Sequence, residues 1–303
     1  MKVLVTGGTG FIGRHLIKHL KHQSDVTVLT RSPNKAYGIL GHDIHCLTSL
    51  PSGADFDAFD AVINLAGEPI ADKRWTERQK QRICDSRWQL TAQLAENIRK
   101  SQHPPILISG SAIGFYGSQG CQILDEKSPC HDATDFAHHV CQQWEELARS
   151  VNQITRVCIV RTGIVLAPEF GALKKMLPPY RLGLGGPIGD GSQYMSWIHV
   201  DDMVRIILFL LENSTVYGTF NATAPNPVSN QAFSETLART LHRPHIFKTP
   251  ALVMQLLLGE MSNLLTGGQR VIPKKIEAAG FNFHHPELGP ALERLINKSS
   301  PLD

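Results

Sequence analysis

A run of residues near the start of the chain has the types and spacing of a phosphate-binding turn. It follows the apolar stretch Met1 to Thr6, precedes a segment with helical periodicity, and reads Gly7, Gly8, Thr9, Gly10, Phe11, Ile12, Gly13. Gly7 permits a tight exit from a strand, Gly10 lets a pyrophosphate approach the backbone, and Gly13 lets helix and strand pack closely. The N-terminus of the helix offers unpaired N–H groups to the phosphates. The order strand, glycine turn, helix therefore predicts a dinucleotide site.

The end of the next apolar strand indicates which dinucleotide is bound. This strand, Val26 to Thr30, continues into Arg31 and Ser32, and no acidic residue occurs between Val26 and Lys35. A site for NAD places an acid here to bind the ribose 2′-hydroxyl, whereas a 2′-phosphate needs an arginine and a small hydroxyl. The sequence therefore predicts NADP(H), bound by Thr30, Arg31 and Ser32. The alternative is that Arg31 is an ordinary surface arginine.

The elements that must position these residues alternate between strand and helix. Apolar runs of strand length recur up to Leu166, and the segments 76–100 and 136–150 have helical periodicity. This pattern predicts an α/β fold, a doubly wound parallel sheet of the Rossmann type, with ligands at the carboxyl ends of the strands. We expect a Rossmann domain over 1–166 with returning segments near 197–222. A smaller mixed lobe is expected over 167–303, with C-terminal helices over about 249–297.

After Leu166 the pattern becomes irregular. Pro178-Pro179 and the glycines from 183 to 191 predict a loop that lines a site. Regular structure is expected again at 196–202, where Asp201 is a candidate cap for the helix that follows.

The composition excludes several classes of protein. The chain has 303 residues, a formal net charge of +3 and no long basic run, so nucleic acid is not an expected partner. The six cysteines form no C-x-x-C pair, and we find no secretory signal and no apolar stretch near the length of a membrane span. We therefore expect a cytoplasmic protein with reduced thiols, no membrane contact and no bound metal. The adjacent histidines 138–139 and 284–285 are interpreted as surface residues.

Several segments together resemble one protein family. They are NLAGEPIADKRWT (64–76), SR (86–87), SGSAIGFYG (109–117), RTGIVLAP (161–168), RLGLGGPIGDGSQYMSWIHVDDM (181–203), NATAPNPVSN (221–230) and GGQRVIPKK (267–275). Across essentially the whole chain the sequence resembles the atypical extended short-chain dehydrogenases/reductases of the NAD-dependent epimerase-like group. Members of this group carry a small C-terminal domain of their own.

The resemblance adds residues to the cofactor site. Leu65, Ala66 and Gly67 close the fourth strand, where a tight backbone can pass the adenosine side. The resemblance implies the same role for them and implies that Arg82 and Arg87, on the following helix, point toward the cofactor. Of the two arginines we favour Arg87.

The resemblance also raises a question about catalysis. Short-chain dehydrogenases use Ser, Tyr and Lys: the tyrosine transfers a proton, the lysine tunes it, and the serine holds the substrate oxygen. Ser111 resembles that serine, but the expected Tyr and Lys positions hold Phe136 and Val140. Tyr116 is a candidate replacement donor, with the alternative that it is a packing tyrosine. His138, His139, Cys141 and Glu145 are other candidates, although Glu145 is interpreted as a solvated or capping acid.

Four further residues are candidates for contact with a small-molecule substrate. Arg161 and Arg181 could bind an anionic group, with the alternative that Arg161 pairs with an acid below the site. Trp197 could wall a pocket, as could Trp75, although a core position is the commoner outcome for tryptophan, and His199 is interpreted as structural. The sequence thus favours an oxidoreductase- or sugar-nucleotide-epimerase-like protein, a monomer or homodimer. The alternative is a non-catalytic regulator that binds NADP(H).

Overall fold

The computed structural model describes residues 1–297. Its strands are β1 (Lys2–Thr6), β2 (Asp25–Leu29), β3 (His45–Leu47), β4 (Ala61–Asn64), β5 (Ile106–Ala112), β6 (Ile123–Leu124), β7 (Val157–Thr162), β8 (Ile164–Leu166), β9 (Tyr194–Met195), β10 (Trp197–His199), β11 (Gly218–Ala222), β12 (Val228–Ser229) and β13 (Arg270–Val271). Its α-helices are α1 (Phe11–Leu20), α2 (Pro33–Leu40), α3 (Glu77–Lys100), α4 (Phe136–Arg149), α5 (Gly171–Arg181), α6 (Val200–Glu212), α7 (Asn230–Thr240), α8 (Ala251–Leu258), α9 (Asn263–Thr266), α10 (Lys274–Ala278) and α11 (Leu288–Asn297).

A parallel sheet forms the centre of the molecule. Within residues 1–297, seven strands pair in the order β11-β7-β5-β4-β1-β2-β3. The order reverses between β1 and β4, and at their carboxyl ends Thr6 lies opposite both Leu29 and Asn64. This is the switch point at which doubly wound sheets bind ligands. The predicted fold class is confirmed, and β11 shows that the chain returns to the sheet after residue 200.

Helices cover both faces of the sheet because its strands are apolar on both sides. On one face α1 and α6 pack with Val3, Val5 and Val160 in the larger core. On the other, α3 and α4 pack with Leu4, Leu107 and other residues of a second core. The Thr76 side chain caps α3 by accepting from the Gln79 N–H at 3.3 Å. These caps and cores fix where each helix begins relative to the carboxyl edge of the sheet.

The remaining segments build a smaller lobe over that edge. Among the described residues it holds α5, α7 to α11 and the short pairs β12-β9 and β13-β6. The expected loop from Pro178 was wrong in part, since Pro178 and Pro179 lie inside α5. The last six residues of the lobe expected over 167–303 lie outside the described part of the chain.

None of the helices in the described residues has the length and hydropathy needed to cross a bilayer.

Candidate functional site

The glycine turn after β1 is closely packed on its inner side. Gly7 has φ +68°, and a Cβ there would lie 2.7 Å from the backbone of Leu65. A Cβ at Gly13 would lie 2.3 Å from the Gly7 carbonyl oxygen, which already accepts from the Gly10 N–H at 2.9 Å. Side chains at Gly7 and Gly13 are therefore excluded by backbone contacts, as the sequence predicted.

The outer side of the same turn is open. Gly10 is exposed, it is the N-cap of α1, and no side chain of the described residues caps the helix there. Thr9 and Ile12 are half-buried beside it, and the ring of Phe11 stacks on Phe170 at 5.1 Å between centroids. The first N–H groups of α1 remain without a protein cap and carry the positive end of the helix dipole. This end of the helix is suited to a phosphate.

The end of β2 lies beside the glycine turn because β1 and β2 are neighbours in the sheet. Thr30 continues from β2 and donates its N–H to Leu47 O at 2.8 Å. Arg31 and Ser32 are exposed, and Ser32 is the N-cap of α2 with its hydroxyl making no cap hydrogen bond. A guanidinium, a hydroxyl and a second helix N-terminus thus lie together at the carboxyl edge.

The end of β4 forms the other wall of this edge. The Ala66 N–H donates to the Thr6 hydroxyl at 3.2 Å, which holds the segment from Leu65 to Gly67 against β1. A Cβ at Gly67 would lie 2.8 Å from the guanidinium carbon of Arg87. Arg87 is half-buried and donates to Ile83 O at 3.0 Å, whereas Arg82 is exposed on the outer face of α3. Burial lowers the pKa of Arg87.

Ser111, near the end of β5, already donates its hydroxyl proton. It is buried, and its Oγ donates to Glu145 Oε1 at 2.7 Å. Since a serine hydroxyl has one proton to donate, the lone pairs of Oγ are the part that remains for another partner.

Glu145 is the centre of a buried ionic network. The Arg161 guanidinium donates to both of its oxygens, at 2.8 and 2.9 Å, and Arg149 donates to Oε2 at 2.5 Å. The interpretation of Glu145 as a solvated acid was wrong, because its side chain is buried between two arginines that compensate its charge. Arg161 is also buried, with its guanidinium 3.4 Å from the Phe115 ring centroid. Arg161 therefore pairs with an acid below the site, which was the alternative interpretation of this residue. The interpretation that Arg161 binds the substrate is corrected.

Tyr116 packs in the core rather than facing a cleft. It is fully buried, and its OH donates to Asn221 Oδ1 at 2.7 Å. Burial raises the pKa of Tyr116 to about 12, although the neighbouring Arg161 opposes the shift. A phenol in this state is a poor proton donor for a substrate, so the geometry favours the packing alternative.

The start of α4 shows which side chains lie next to Ser111. Phe136 packs edge-on against Trp75 at 4.9 Å, and Val140 packs with Ile83 on the α3 side. Besides Glu145, Cys141 interacts with Ser111, and burial raises the pKa of its thiol to about 11. No tyrosine or lysine occurs from Phe136 to Arg149. The α4 side chains next to Ser111 are therefore those of Glu145 and of Cys141, whose thiol is neutral.

The other sequence candidates differ in how deeply they are buried. Arg181 is exposed at the end of α5, and Trp75 is half-buried. Trp197 is fully buried and donates its indole N–H to Asn226 O at 3.2 Å, so its proposed substrate contact is corrected to a core position. The surface interpretation of the histidine pair 138–139 was wrong for His138, which is buried with Nδ1 2.5 Å from Phe115 O. His139 is exposed.

A histidine cluster at the start of α6 was missed by the sequence. His199 is buried and caps α6 by accepting from the Asp201 N–H at 3.0 Å, the role expected of Asp201. The His285 ring, interpreted as a surface residue, stacks on His199 at 3.7 Å. Asp202 holds this arrangement by accepting from the backbone N–H groups of His284 and His285 at 2.9 and 2.8 Å. His199 and His285 are remote in sequence, so no local pattern could have paired them.

Fold and site together define the class of protein. A doubly wound parallel sheet, a Gly-x-x-Gly-x-x-Gly turn with an open helix end at the switch point, and a serine at the end of the fifth strand are the features of a dinucleotide-binding short-chain dehydrogenase/reductase.

Comparison with known proteins gives the family. The chain belongs to the NAD dependent epimerase/dehydratase family, whose model matches residues 3–223, and a domain of unknown function, DUF1731, matches residues 249–295. An epimerase family protein of Staphylococcus aureus is 40% identical over 97% of this chain and 99% of its own length. The family resemblance found in the sequence is confirmed.

Solved structures agree with this assignment. The human epimerase family protein SDR39U1, solved with NADPH, is 36% identical with a TM-score of 0.88, covering 98% of this chain and 99% of its own. A nucleoside-diphosphate sugar epimerase from Corynebacterium glutamicum is 30% identical with a TM-score of 0.77, over 97% of this chain and 58% of its own. A UDP-glucuronic acid 4-epimerase from Bacillus cereus, with a TM-score of 0.75 over 98% of this chain and 99% of its own, is 19% identical and shares the fold.

Proposed function

We propose that the protein binds NADP(H) and acts as an oxidoreductase- or epimerase-like protein on a small molecule. One observation carries the choice of cofactor. The exposed Arg31 and Ser32 lie one strand away from the open N-terminus of α1, and the segment from Val26 to Lys35 contains no acid. A 2′-phosphate would find a guanidinium, a hydroxyl and a helix end there, whereas a bare ribose would find no carboxylate.

The residues fit the cofactor along its length. Gly7, Gly10 and Gly13 would hold the pyrophosphate against α1, with Thr9, Phe11 and Ile12 beside it. Arg31 and Ser32 would hold the 2′-phosphate, with Thr30 beside them, and the segment from Leu65 to Gly67 would pass the adenosine side with Arg87 behind it. Arg82 is kept as a weaker candidate because it is exposed on the outer face of α3. The human relative solved with NADPH supports this choice, although other solved relatives carry NAD.

The bound nicotinamide would supply a hydride donor or acceptor, and Ser111 is the residue proposed to hold the substrate oxygen. Because its proton is committed to Glu145, Ser111 Oγ would accept from the hydroxyl of an alcohol substrate, whereas the carbonyl oxygen of a ketone would need a donor such as the neighbouring Cys141 thiol. Glu145 would fix the rotamer of Ser111, with Arg161 and Arg149 compensating its charge. Cys141, protonated at neutral pH, is the protic group next to Ser111 on α4. Arg181, exposed on α5, is kept as a candidate for an anionic substrate group.

A second candidate function is favoured by a separate observation. The Ser111 hydroxyl and the Tyr116 phenol are both engaged in buried hydrogen bonds, and α4 carries neither tyrosine nor lysine. An NADP(H)-bound regulator would need no proton relay at this place. In that case cofactor occupancy would control the binding of a partner.

Deuteride transfer separates the two functions. Protein would be incubated with each of the two C4-deuterated NADPH isomers and a panel of sugar nucleotides, aldehydes and ketones, followed by mass spectrometry of every panel member. Transfer to a panel member that is lost in Ser111→Ala supports the oxidoreductase. Tight cofactor binding with neither deuteride transfer from NADPH to a carbonyl compound nor epimerisation of a sugar nucleotide in the presence of NADP+ contradicts the enzymatic function and favours the regulator. Equal affinity for NADPH and NADH would overturn the choice of cofactor.

A further inference from the structure

Helix α8 is apolar on every side, yet little of it is packed. Its sequence is ALVMQLLL, and each of its residues is exposed or half-buried in the described structure. Leu252 is 65% exposed, Leu256 70% and Leu257 63%. A helix that is hydrophobic all round is normally buried, because leaving such side chains in water costs free energy. The described residues leave these side chains uncovered.

The exposed surface extends beyond α8 into the glycine-rich loop. Gly189 donates its N–H to Thr249 O at 2.8 Å, and the Gly186 backbone packs on the Phe247 carbonyl, so the loop and the segment before α8 form one unit. We call the exposed apolar side chains of this unit and of α8 the apolar band. Its members are Leu182, Leu184, Ile246, Phe247, Leu252, Val253, Leu256 and Leu257.

The far end of α8 lies at the mouth of the candidate site. A Cβ at Gly259 would lie 3.1 Å from the Arg74 guanidinium, and Glu260 pairs with Lys80 at 2.6 Å. The Lys80 ammonium in turn lies 5.3 Å from the centre of the Phe136 ring, at the position where the family relay would begin. Helix α8 thus runs from the smaller lobe to the start of α3 and α4, at the carboxyl edge of the sheet.

We propose that the apolar band receives an extended apolar group of the substrate, so that the substrate class is an aliphatic alcohol or ketone rather than a sugar nucleotide. This proposal rests on the proposed function and names the substrate class of that same site. A sugar would need hydrogen-bonding partners for its hydroxyls, and α8 offers Gln255 as its polar side chain. An alkyl chain needs none, and it would remove the exposed leucines from water.

The length of α8 fits a small-molecule occupant. An eight-residue helix spans about 12 Å, which matches a chain of roughly ten carbons. The attachment of α8 to Arg74 and Lys80 places that length beside the cleft.

The experiment measures how binding depends on chain length. The 2-alkanones from butanone to decanone would be titrated calorimetrically into the protein, with and without saturating NADPH. We expect saturable one-to-one binding that tightens about fourfold per added methylene. In the double variant Leu252→Ser/Leu256→Ser the gain per methylene should fall below about 1.5-fold, with NADPH affinity unchanged. Ile154→Ser, which changes an apolar side chain 43% exposed outside the band, should keep the wild-type series.

Three results would overturn the proposal: no chain-length dependence in the wild type, the same series in the double variant, or a dimer or vesicle association that the double variant abolishes. Vesicles of anionic phospholipid and sedimentation velocity test the last of these. The proposed function fails separately, through absent NADPH binding or absent deuteride transfer. If alkanone affinity increases with chain length as expected but no deuteride is transferred, the protein is a regulator that binds an apolar ligand.

Discussion

At the level of single residues, Tyr116 and Glu145 are both buried, but they have different partners. Tyr116 lies among Ile113, Leu124 and Val271, where a phenolate would have no water. Glu145 is equally buried, but its charge is compensated because Arg161 donates two hydrogen bonds to the side chain and Arg149 donates a third. The two residues therefore stabilise the walls of the site, and Ser111, held between Glu145 and Cys141, is left as the residue proposed to contact a substrate.

Replacing Tyr116 by Phe should cost stability rather than proton transfer. The variant would leave Asn221 Oδ1 without its donor, which costs about 1–3 kcal/mol in the free energy of unfolding. Urea denaturation measures this loss, and NADPH affinity should stay within about twofold because the cofactor turn is untouched. If Y116F kept its stability but lost deuteride transfer a hundredfold, as removal of an acid does, Tyr116 would be the proton donor after all.

Arg31→Ala should weaken NADPH binding selectively. Loss of a charge-assisted hydrogen bond to the 2′-phosphate is worth about 1.5–3 kcal/mol, or roughly tenfold to a hundredfold in Kd. NADH affinity should not change, since NADH has no phosphate at that position. Fluorescence titration of both cofactors checks this, with Lys18→Ala in the last turn of α1 as a matched loss of charge away from the site. An equal loss for both cofactors would remove Arg31 from phosphate recognition.

At the level of elements, the turn between β1 and α1 has an outer side for a ligand and an inner side for packing. Gly10 and Gly13 are three residues apart, but the space available for a side chain differs between them. The nearest atom to a Cβ at Gly10 is Gly7 O at 3.0 Å, whereas a Cβ at Gly13 meets the same atom at 2.3 Å and the Gly8 backbone at 2.7 Å.

Substitutions at the two glycines should therefore fail in different ways. Gly10→Val should abolish NADPH binding and leave the circular dichroism spectrum largely unchanged, because the side chain would occupy the phosphate side of an open turn. Gly13→Ala should lower the free energy of unfolding by about 1–3 kcal/mol, since β1 and α1 must move apart. Normal NADPH binding by G10V, in a protein that folds, would show that the pyrophosphate lies elsewhere.

At the level of the whole molecule, the C-terminal segment is attached to the Rossmann domain through the start of α6. Asp202 accepts from the backbone at His284 and His285, and the His285 ring stacks on the capping His199. Burial, reinforced by the nearby His285 and Arg294 and opposed by Asp201 and Asp202, lowers the pKa of His199 to about 4. The pKa of His285 is also lowered, mainly by burial.

This attachment should weaken in mild acid. A histidine in the unfolded chain has a pKa of about 6.5. Between about pH 6.5 and pH 4, His199 is therefore protonated in the unfolded state but not in the folded state. Stability is therefore full above pH 6.5 and falls as the pH drops, by about 2 kcal/mol between pH 7 and pH 5. His199→Asn keeps a capping side chain and should remove that part of the pH dependence in urea titrations. His139→Asn, at an exposed histidine, should keep it, and an unchanged slope in H199N would rule out His199 as the titrating group.

The sequence determined what depends on local pattern. The glycine spacing predicted the tight turn between β1 and α1, and the alternation of apolar strands and amphipathic helices predicted the sheet. These features follow from backbone sterics and periodicity within about 15 residues, and the parallel sheet confirms the fold that they predict.

The tertiary structure decided which polar groups are buried together. Ser111, Glu145 and Arg161 come from β5, α4 and β7, and His199 meets His285, which lies between α10 and α11. The burial of Trp197 and the exposure of α8 could not be predicted either, since an apolar residue gives the same sequence pattern whether it is buried in a core or exposed to water. Burial and hydrogen-bond partners depend on contacts between distant segments, and these contacts set the chemistry of Tyr116, Cys141 and Glu145.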